Sequence, residues 1–196
     1  MIVHQSATNV ALFHYRAAMP IQPSHETELL EALSEADSAS ECLLAAYDAL
    51  DDTVDALLQN IFHKDDYAVK FVVEPLLSND GPLGDIMVRG KLLLGLGVIS
   101  KEVYDDIEIF VTLKEWAKIQ ENNVSFTEID VLFELNKVNA IKRIMPIDYD
   151  EDMVKTMSGP MLEMFLGRHH QKVQSTIVLA ITDIVNTLCR ENALTS

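Results

Sequence analysis

The sequence feature that most limits the possible folds is a regular spacing of apolar residues near the C terminus. Five of them follow one another at steps of three and four: Val173, Ile177, Ile181, Ile184 and Leu188. This spacing places the five side chains on one side of an α-helix. Before them, Ser158-Gly159-Pro160 is typical of a break, and Pro160 fits the first turn of a helix. The pattern predicts a final helix of about thirty residues.

Helical periodicity also governs the middle of the chain. Two capping boxes, Ser38 to Glu41 and Ser125 to Glu128, predict helix starts, because a serine oxygen can accept from the backbone three residues on while the glutamate reaches back. The first box opens a helix whose apolar stripe steps by three and four, with its aspartates on the opposite, solvated face: Asp48, Asp51, Asp52 and Asp55. The second box predicts one helix that continues to Pro146, which stops it.

The remaining helix boundaries follow from caps and turns. A first short helix is predicted after Ser24, and Asp65 or Asp66 can cap a third helix that kinks or ends at Pro75. The turn from Ser78 to Pro82 leads into a fourth helix with Pro82 at its first position. On that helix, Gly90 and Gly97 share a face where a neighbouring helix could approach closely. Ser100 caps a fifth helix that runs to about Glu121.

These helices define the predicted fold class and domain organisation. No stretch alternates between polar and apolar residues as a strand would, so the chain is predicted to be all-α. We expect a compact multi-helix bundle of about seven helices with a long C-terminal helix. Residues 1–23 lack helical periodicity and are interpreted as a loose N-terminal extension, and residues 24–196 as a single domain, which suits a chain of 196 residues.

The charge of the chain limits its partners. The sequence has 15 Lys and Arg against 31 Asp and Glu, a net charge of −16. Proteins that bind nucleic acid gain much of their affinity from Lys and Arg on phosphates, so direct nucleic-acid binding is disfavoured. The densest basic groups are small and more typical of solvated helices than of phosphate sites: Lys137, Lys142 and Arg143, and Arg168, His169, His170 and Lys172.

Cysteine usage and hydropathy predict a cytoplasmic protein. Cys42 and Cys189 lie far apart and form no CxxC pair, so we expect buried free thiols. The order of charged and apolar residues near the N terminus is not that of an export signal. The longest uncharged apolar stretches, 92–99 and 173–182, are shorter than the roughly 20 residues that span a bilayer. We therefore expect neither a membrane segment nor a membrane partner.

No constellation of residues indicates catalysis, a cofactor or a metal. Gly95-Leu96-Gly97 lacks the third glycine of a dinucleotide fingerprint and follows a helix rather than a strand. His169 and His170 are adjacent on a helix, about 100° apart, so solvated or hydrogen-bonded histidines are favoured over metal ligands. We expect no catalytic residue, no cofactor and no metal site, and therefore no enzyme.

The segment from His63 to Ile99 carries a long and specific resemblance: HKDDYAVKFVVEPLLSNDGPLGDIMVRGKLLLGLGVI. It is similar to the central signature of the mannitol operon repressor family. The stretches 104–107 and 175–184 are similar to the family as well, so the resemblance covers roughly Ser38 to Arg190. It implies an all-helical cytoplasmic protein that represses the genes for mannitol uptake and oxidation.

The resemblance supplies no residue that reads DNA, because members of this family lack a recognisable helix-turn-helix. Together with the charge, it favours repression through contacts with another regulatory protein. The alternative is that the chain forms a homo-oligomer, a dimer, and binds operator DNA directly. The DNA would then contact the Lys137 to Arg143 or the Arg168 to Lys172 surface. A third class, an enzyme or sugar sensor of the mannitol pathway, requires a polar pocket that the sequence does not reveal.

Four charged residues in the matching segment are candidates for a partner-binding surface: Asp80, Asp85, Arg89 and Lys91. Asp85 and Arg89 have the spacing of an exposed ion pair on a helix, which alone would be worth only a few tenths of a kcal/mol. Core packing explains the apolar residues of this segment, but it does not explain the matching charges. We therefore expect these charged side chains to contact a protein partner.

Overall fold

The computed structural model describes residues 31, 33, 35–62, 71, 74–78, 80–120 and 124–193. These residues form helices and connecting turns, with no strand among them, as the sequence predicts. In chain order the helices are α1 (Ala39–Phe62), α2 (Glu74–Leu77), α3 (Ile86–Gly95), α4 (Lys101–Ile119), α5 (Ile129–Leu135), α6 (Asn139–Ile144), α7 (Glu151–Lys155) and α8 (Gly159–Ala193). None of these helices is long and apolar enough to cross a membrane.

Helix α1 lies at the centre and packs against α3, α4 and α8. Its start is the predicted capping box: the backbone N–H of Glu41 donates to Ser38 Oγ at 3.2 Å, and the Glu41 carboxylate accepts from the N–H of Asp37 at 2.9 Å. The inward face consists of fully or nearly fully buried apolar side chains, among them Leu43, Leu50, Val54, Leu57 and Leu58. This burial fixes which side of α1 faces solvent.

Helices α3 and α4 pack side by side on α1. Ser100 caps α4 as predicted, accepting from the N–H of Val103 at 3.3 Å. At Gly90, a Cβ atom would lie 3.4 Å from the ring of Tyr104 in α4, so the absence of a side chain lets the two helices approach. Gly97 has a different role from the one predicted, because it lies after α3 with a φ of 71°, in the left-handed region that glycine adopts most readily.

The start of α3 differs from the prediction. The helix begins at Ile86 with Asp85 as N-cap, four residues after Pro82. Residues 80–84 form a turn instead, held by hydrogen bonds from Gly81 and Leu83 to carbonyls of Ser78 and Leu76. A Cβ atom at Gly81 would lie 2.5 Å from the carbonyl oxygen of Leu76, so this tight turn requires glycine.

The helix predicted from Ser125 to Pro146 is two helices, α5 and α6, separated at residues 136–138. The Glu128 carboxylate does accept from the N–H of Ser125 at 2.9 Å, but Ser125 Oγ bonds Thr127, and α5 begins only at Ile129. At the break, the Asn136 side chain forms two hydrogen bonds with the backbone of Ile147, at 2.8 and 3.0 Å. These bonds fold residues 136–147 back on themselves.

Helix α8 has 35 residues and packs against α1 and α6, as expected of a long C-terminal helix. All five residues of its predicted seam are buried: Val173, Ile177, Ile181, Ile184 and Leu188. The extension 1–23, the short helix after Ser24 and the predicted caps Asp65 and Asp66 lie outside the described residues, apart from positions 31 and 33, which are helical. Both cysteines are free, with Cys42 buried and Cys189 half-buried.

Candidate functional site

Arg89 is the best-defined charged residue of the matching segment, and it is buried rather than exposed. Its residue surface is only 4% accessible, on the face of α3 that packs against α1. Nη2 donates to Asp51 Oδ1 at 2.5 Å, and Nη1 donates to Asp55 Oδ1 at 3.0 Å. Nε is buried and donates to no described residue. Arg89 therefore joins α3 to α1 by bonds to two carboxylates one helical turn apart.

The prediction of an exposed i, i+4 ion pair between Asp85 and Arg89 is therefore wrong. Asp85 is exposed, but its carboxylate accepts from the backbone N–H of Met87 at 2.6 Å and caps α3. Arg89 lies on the inward face of α3, where its guanidinium is within 3.0 Å of both α1 aspartates. The prediction that Asp51 and Asp55 simply face solvent is corrected as well, since both side chains are only 32% exposed.

The electrostatics of this junction follow from partial burial. Burial raises the pKa of Asp51, while the Arg89 guanidinium acts in the opposite direction. Burial and the Asp51 charge both raise the pKa of the neighbouring Tyr47 hydroxyl, and Asp85 is a smaller contributor in the same direction. Lys114, whose ammonium lies 4.2 Å from the centre of the Tyr47 ring, and Arg89 act in the opposite direction on this pKa. The carboxylates of α1 and of the α3 cap thus share one electrostatic environment.

The other candidates flank this junction. Asp80 lies exposed in the turn before α3, and Lys91 is exposed on α3 two residues beyond Arg89. Sequence reasoning missed the part played by Asp51 and Asp55, which lie 38 and 34 residues before Arg89. We define the acidic surface as Asp48, Asp51, Asp52, Asp55 and Asp85. These five carboxylates have two cations beside them, the Arg89 guanidinium and the Lys114 ammonium over the Tyr47 ring.

The first basic group is largely neutralised by carboxylates of the chain itself. Arg143 Nη2 donates to Asp183 at 2.8 Å and Nη1 to Glu102 at 3.3 Å. Lys137 binds Glu134 at 2.5 Å, and its ammonium lies 4.3 Å from the centre of the Phe133 ring. A phosphate would have to compete with these carboxylates for the same donors.

The second basic group differs because two of its members are aromatic contacts inside the fold. The His169 ring is buried, and its Nε2 lies 2.8 Å from the carbonyl oxygen of Phe126. The His170 ring lies 5.0 Å from the Phe126 ring. The hydrogen-bonded interpretation of His169 is thus confirmed. Arg168 and Lys172 have no ion pair with any residue that the structure describes.

A polar cavity of about 280 Å³ lies where α4, α6 and α8 meet. Its lining combines apolar and charged side chains: Ser100, Glu102, Val103, Asp106, Arg143, Ile184 and Thr187. Asp106 accepts three hydrogen bonds from α6, from the backbone N–H groups of Asn139 and Ala140 at 2.7 and 3.0 Å and from the side-chain amide of Asn139 at 2.9 Å. The guanidinium of Arg143 is held by two carboxylates, so the cavity has no uncompensated cation for an anionic substrate.

Within the described part of the chain, no three His, Cys, Asp or Glu side chains converge to hold a metal ion. The thiol of Cys42 is a poor nucleophile in this fold, because burial raises its pKa to about 12. The clearest electrostatic feature that remains is the acidic surface of α1 and α3.

Comparison with known proteins gives consistent matches over most of the chain. The family model described as "Mannitol repressor" (MtlR) matches residues 25–189. The "Mannitol operon repressor" of Escherichia coli K12 is 33% identical over 185 residues, which cover 94% of this chain and 93% of that protein. A more distant relative named "Fumarase E", from Shigella flexneri, is 27% identical and covers 83% of this chain and 96% of its own length.

The structural match agrees with the sequence matches. The "X-ray structure of the MtlR-HPr complex from Escherichia coli" contains a chain that aligns with a TM-score of 0.72 at 35% identity, covering 84% of this chain and 98% of that one. The resemblance read from residues 63–99 is thereby confirmed over nearly the whole protein. The chain belongs to the mannitol repressor (MtlR) family.

Proposed function

We propose that this chain represses a mannitol operon by binding another protein, without a DNA-reading element of its own. The observation that carries the proposal is that many of its basic side chains are already paired with carboxylates of the chain itself. In a chain of net charge −16, the strongest basic candidate, Arg143, is already bound to Glu102 and Asp183. Of the twelve Lys and Arg in the described residues, six are in ion pairs with carboxylates of the chain itself. Phosphate contacts supply most non-specific affinity for DNA, so a phosphate would have to displace a carboxylate at each of these six.

A protein like HPr is the partner that we propose. The basis is that a relative of 35% identity was solved as a complex with HPr. We place the contact on the acidic surface, extended by Asp80 and Lys91 at its edge. Five carboxylates on adjacent helix faces favour a partner whose contacting face is basic, because complementary potentials speed association and exclude wrong partners.

Arg89 has a positioning role in this surface rather than a contact role. Because the Arg89 guanidinium is buried between α3 and α1, a partner cannot reach it directly. It holds the Asp51 and Asp55 carboxylates at fixed positions on α1, one helical turn apart. We therefore propose that Asp80, Asp85 and Lys91 contact the partner and that Arg89 keeps the neighbouring aspartates in place.

The same proposal places the protein in the cytoplasm as a non-enzymatic regulator with residues 24–196 as one domain. The pairing of the Arg143 guanidinium with two carboxylates in the cavity and the raised pKa of Cys42 support a regulatory rather than a catalytic role. Turnover of fumarate by the purified chain, as the name of the Shigella flexneri relative would suggest for that protein, would contradict this part of the proposal.

The test is a binding titration of the purified chain with HPr from the same cells. Asp48→Asn together with Asp52→Asn removes two exposed charges that have no ion pair within the described residues. We expect affinity to fall roughly 2- to 30-fold, since each exposed charge pair contributes about 0.2–1 kcal/mol. The matched control, Asp130→Asn with Asp148→Asn, removes the same charge elsewhere and should leave binding unchanged. Equal loss in both variants would contradict the proposed surface.

Direct operator binding is the alternative. The observation that favours it is that Arg168 and Lys172 have no ion pair among the described residues. A gel shift with operator DNA at physiological salt separates the two mechanisms. We expect no specific complex from the chain alone. Tight specific binding that is lost in Arg168→Ala with Lys172→Ala would replace our proposal with the alternative.

A further inference from the structure

The cavity between α4, α6 and α8 has the size of a site for one small ligand. Its volume of about 280 Å³ lies near the lower end of the range of roughly 300–1,000 Å³ that is typical of small-molecule sites. Val103 and Ile184 form the apolar part of its wall. The polar lining comes from all three helices, with Glu102 on α4, Arg143 on α6 and Thr187 on α8. A ligand there would contact three elements of the bundle at once.

The polar side chains of the lining keep unused hydrogen-bonding capacity. The guanidinium of arginine has five N–H donors, and Arg143 forms two bonds among the described residues, to Glu102 and Asp183. Ser100 accepts one backbone N–H at the start of α4, and its own hydroxyl proton has no acceptor among those residues. Thr187 donates its proton to a backbone carbonyl, so its oxygen is free to accept. The lining therefore offers both donors and acceptors.

The charges around the cavity select against an ionic ligand. An anion would lie beside the carboxylates of Glu102 and Asp106 and would have to displace a carboxylate from Arg143. A cation would have to share those carboxylates with the Arg143 guanidinium, and like charges at close range repel each other. Asp106 offers a cation little, because it already accepts three hydrogen bonds from α6. The site therefore favours a neutral ligand whose groups both donate and accept.

We propose that this cavity binds a neutral polyhydroxy compound of the size of a hexitol. Each hydroxyl group of such a compound donates and accepts, and its C–H groups can contact Val103 and Ile184. An open chain adapts its hydroxyl groups to the Arg143 donors and the Thr187 oxygen on different helices. D-Mannitol is the compound that we expect. This choice rests on the proposed repression of a mannitol operon, since a repressor that binds the compound in question responds to its presence directly.

Mannitol in this cavity acts on the junction between α6 and α8. Arg143 of α6 already donates to Asp183 of α8 at 2.8 Å, and the ligand adds bonds across the same junction. A ligand that binds only the closed junction stabilises the closed state by mass action. Helix α6 has six residues and depends on its neighbours for stability. The presence of mannitol is thereby converted into a change in the stability of α6.

The experiment is calorimetric titration of the purified full chain with D-mannitol, without HPr or DNA. We expect saturable binding of one mannitol per chain, with slower hydrogen exchange of the α6 amides as mannitol is added. Mannitol 1-phosphate should bind roughly tenfold more weakly, because its phosphate would lie beside carboxylates. D-Glucose, which is also neutral but cyclic, should bind more weakly than mannitol.

Two pairs of variants test the residues. Thr187→Val keeps the shape of the side chain but removes its oxygen, so affinity should fall roughly 2- to 12-fold. Thr182→Val is the matched control, because Thr182 donates to a carbonyl of α8 at the same 2.8 Å but does not line the cavity. Arg143→Gln should lower the affinity roughly tenfold or more. Lys142→Gln removes the neighbouring cation of α6 and should bind mannitol like the parent.

Three results would overturn the proposal: no saturable mannitol binding by the parent, equal losses in Thr187→Val and Thr182→Val, or tighter binding of mannitol 1-phosphate than of mannitol. Binding of D-glucose in place of mannitol would assign the cavity to a cyclic sugar and overturn the choice of an open chain. A failure here leaves the proposed repression through HPr intact, because the titration with HPr contains no mannitol. A failure of HPr binding, in turn, does not change the mannitol titration.

Discussion

Replacing Arg89 by methionine tests whether the junction between α1 and α3 depends on its ion pairs. Methionine keeps an unbranched apolar chain but removes both charge-assisted hydrogen bonds to Asp51 and Asp55. Such bonds contribute about 1.5–3 kcal/mol each, and breaking a fully buried pair costs about 3–5 kcal/mol. The two aspartates are 32% exposed and keep part of their hydration. We therefore expect a loss of about 2–4 kcal/mol in the free energy of unfolding.

The assay is thermal and urea unfolding followed by circular dichroism at pH 7. For a protein of this size, the expected loss corresponds to a fall of roughly 4–16 °C in Tm. Lys91→Met is the control, because it removes a cation two residues away on the same helix but at an exposed position. Its effect should stay within about 0.5 kcal/mol.

Two further measurements test whether the lost ion pairs cause the lower stability of Arg89→Met. Adding Asp51→Asn and Asp55→Asn to Arg89→Met should recover part of the lost stability, because no uncompensated carboxylate remains. Burial already raises the folded-state pKa of Asp51, and removing Arg89 raises it further. The deficit of Arg89→Met should therefore shrink as the pH falls through that pKa and the carboxyl binds a proton. A variant as stable as Lys91→Met, or a deficit that grows in acid, would refute this account.

Three other changes test separate parts of the fold. Asp106→Ala should cost about 2–4 kcal/mol in urea unfolding, because it strands two backbone donors of α6, whereas Asp105→Ala, on the surface pair with Lys101, should cost less than about 1 kcal/mol. Burial raises the pKa of Cys42 from 9.0 to about 12, so the unfolded chain loses this proton first and stability should fall as the pH rises above about 9; Cys42→Ala should remove that slope. Gly167→Ala should raise the unfolding free energy of the dilute protein by about 0.5–1 kcal/mol, since its Cβ has open space, and no gain in Tm would contradict this.

Local patterns in the sequence were sufficient to predict most of the helices. The Ser38 box, the Ser100 cap and the seam of α8 depend on residues within four or five positions of each other, and the structure has all three. Such signals act over one helical turn, so they can be read from the chain without knowing its fold.

Sequence reasoning failed where distant residues compete with near ones. Asp85 is four residues from Arg89, but the guanidinium binds Asp51 and Asp55 across a helix interface. In the same way, the predicted helix from Ser125 to Pro146 is broken because Asn136 bonds Ile147. Spacing along one helix does not show which neighbouring helix supplies a stronger partner, and the candidate site depended on that information.

Helix α6 has only six residues, and the donors at its start are satisfied by a residue of another helix. Asp106 in α4 accepts from Asn139 and Ala140, 33 and 34 residues further along the chain. A helix this short is not stable alone in water. Its formation during folding therefore has to wait for α4, and the ends of both helices should open together in native-state hydrogen exchange. Because Arg143 lies on α6 and binds Asp183 of α8, the same opening would release the long helix from one of its restraints.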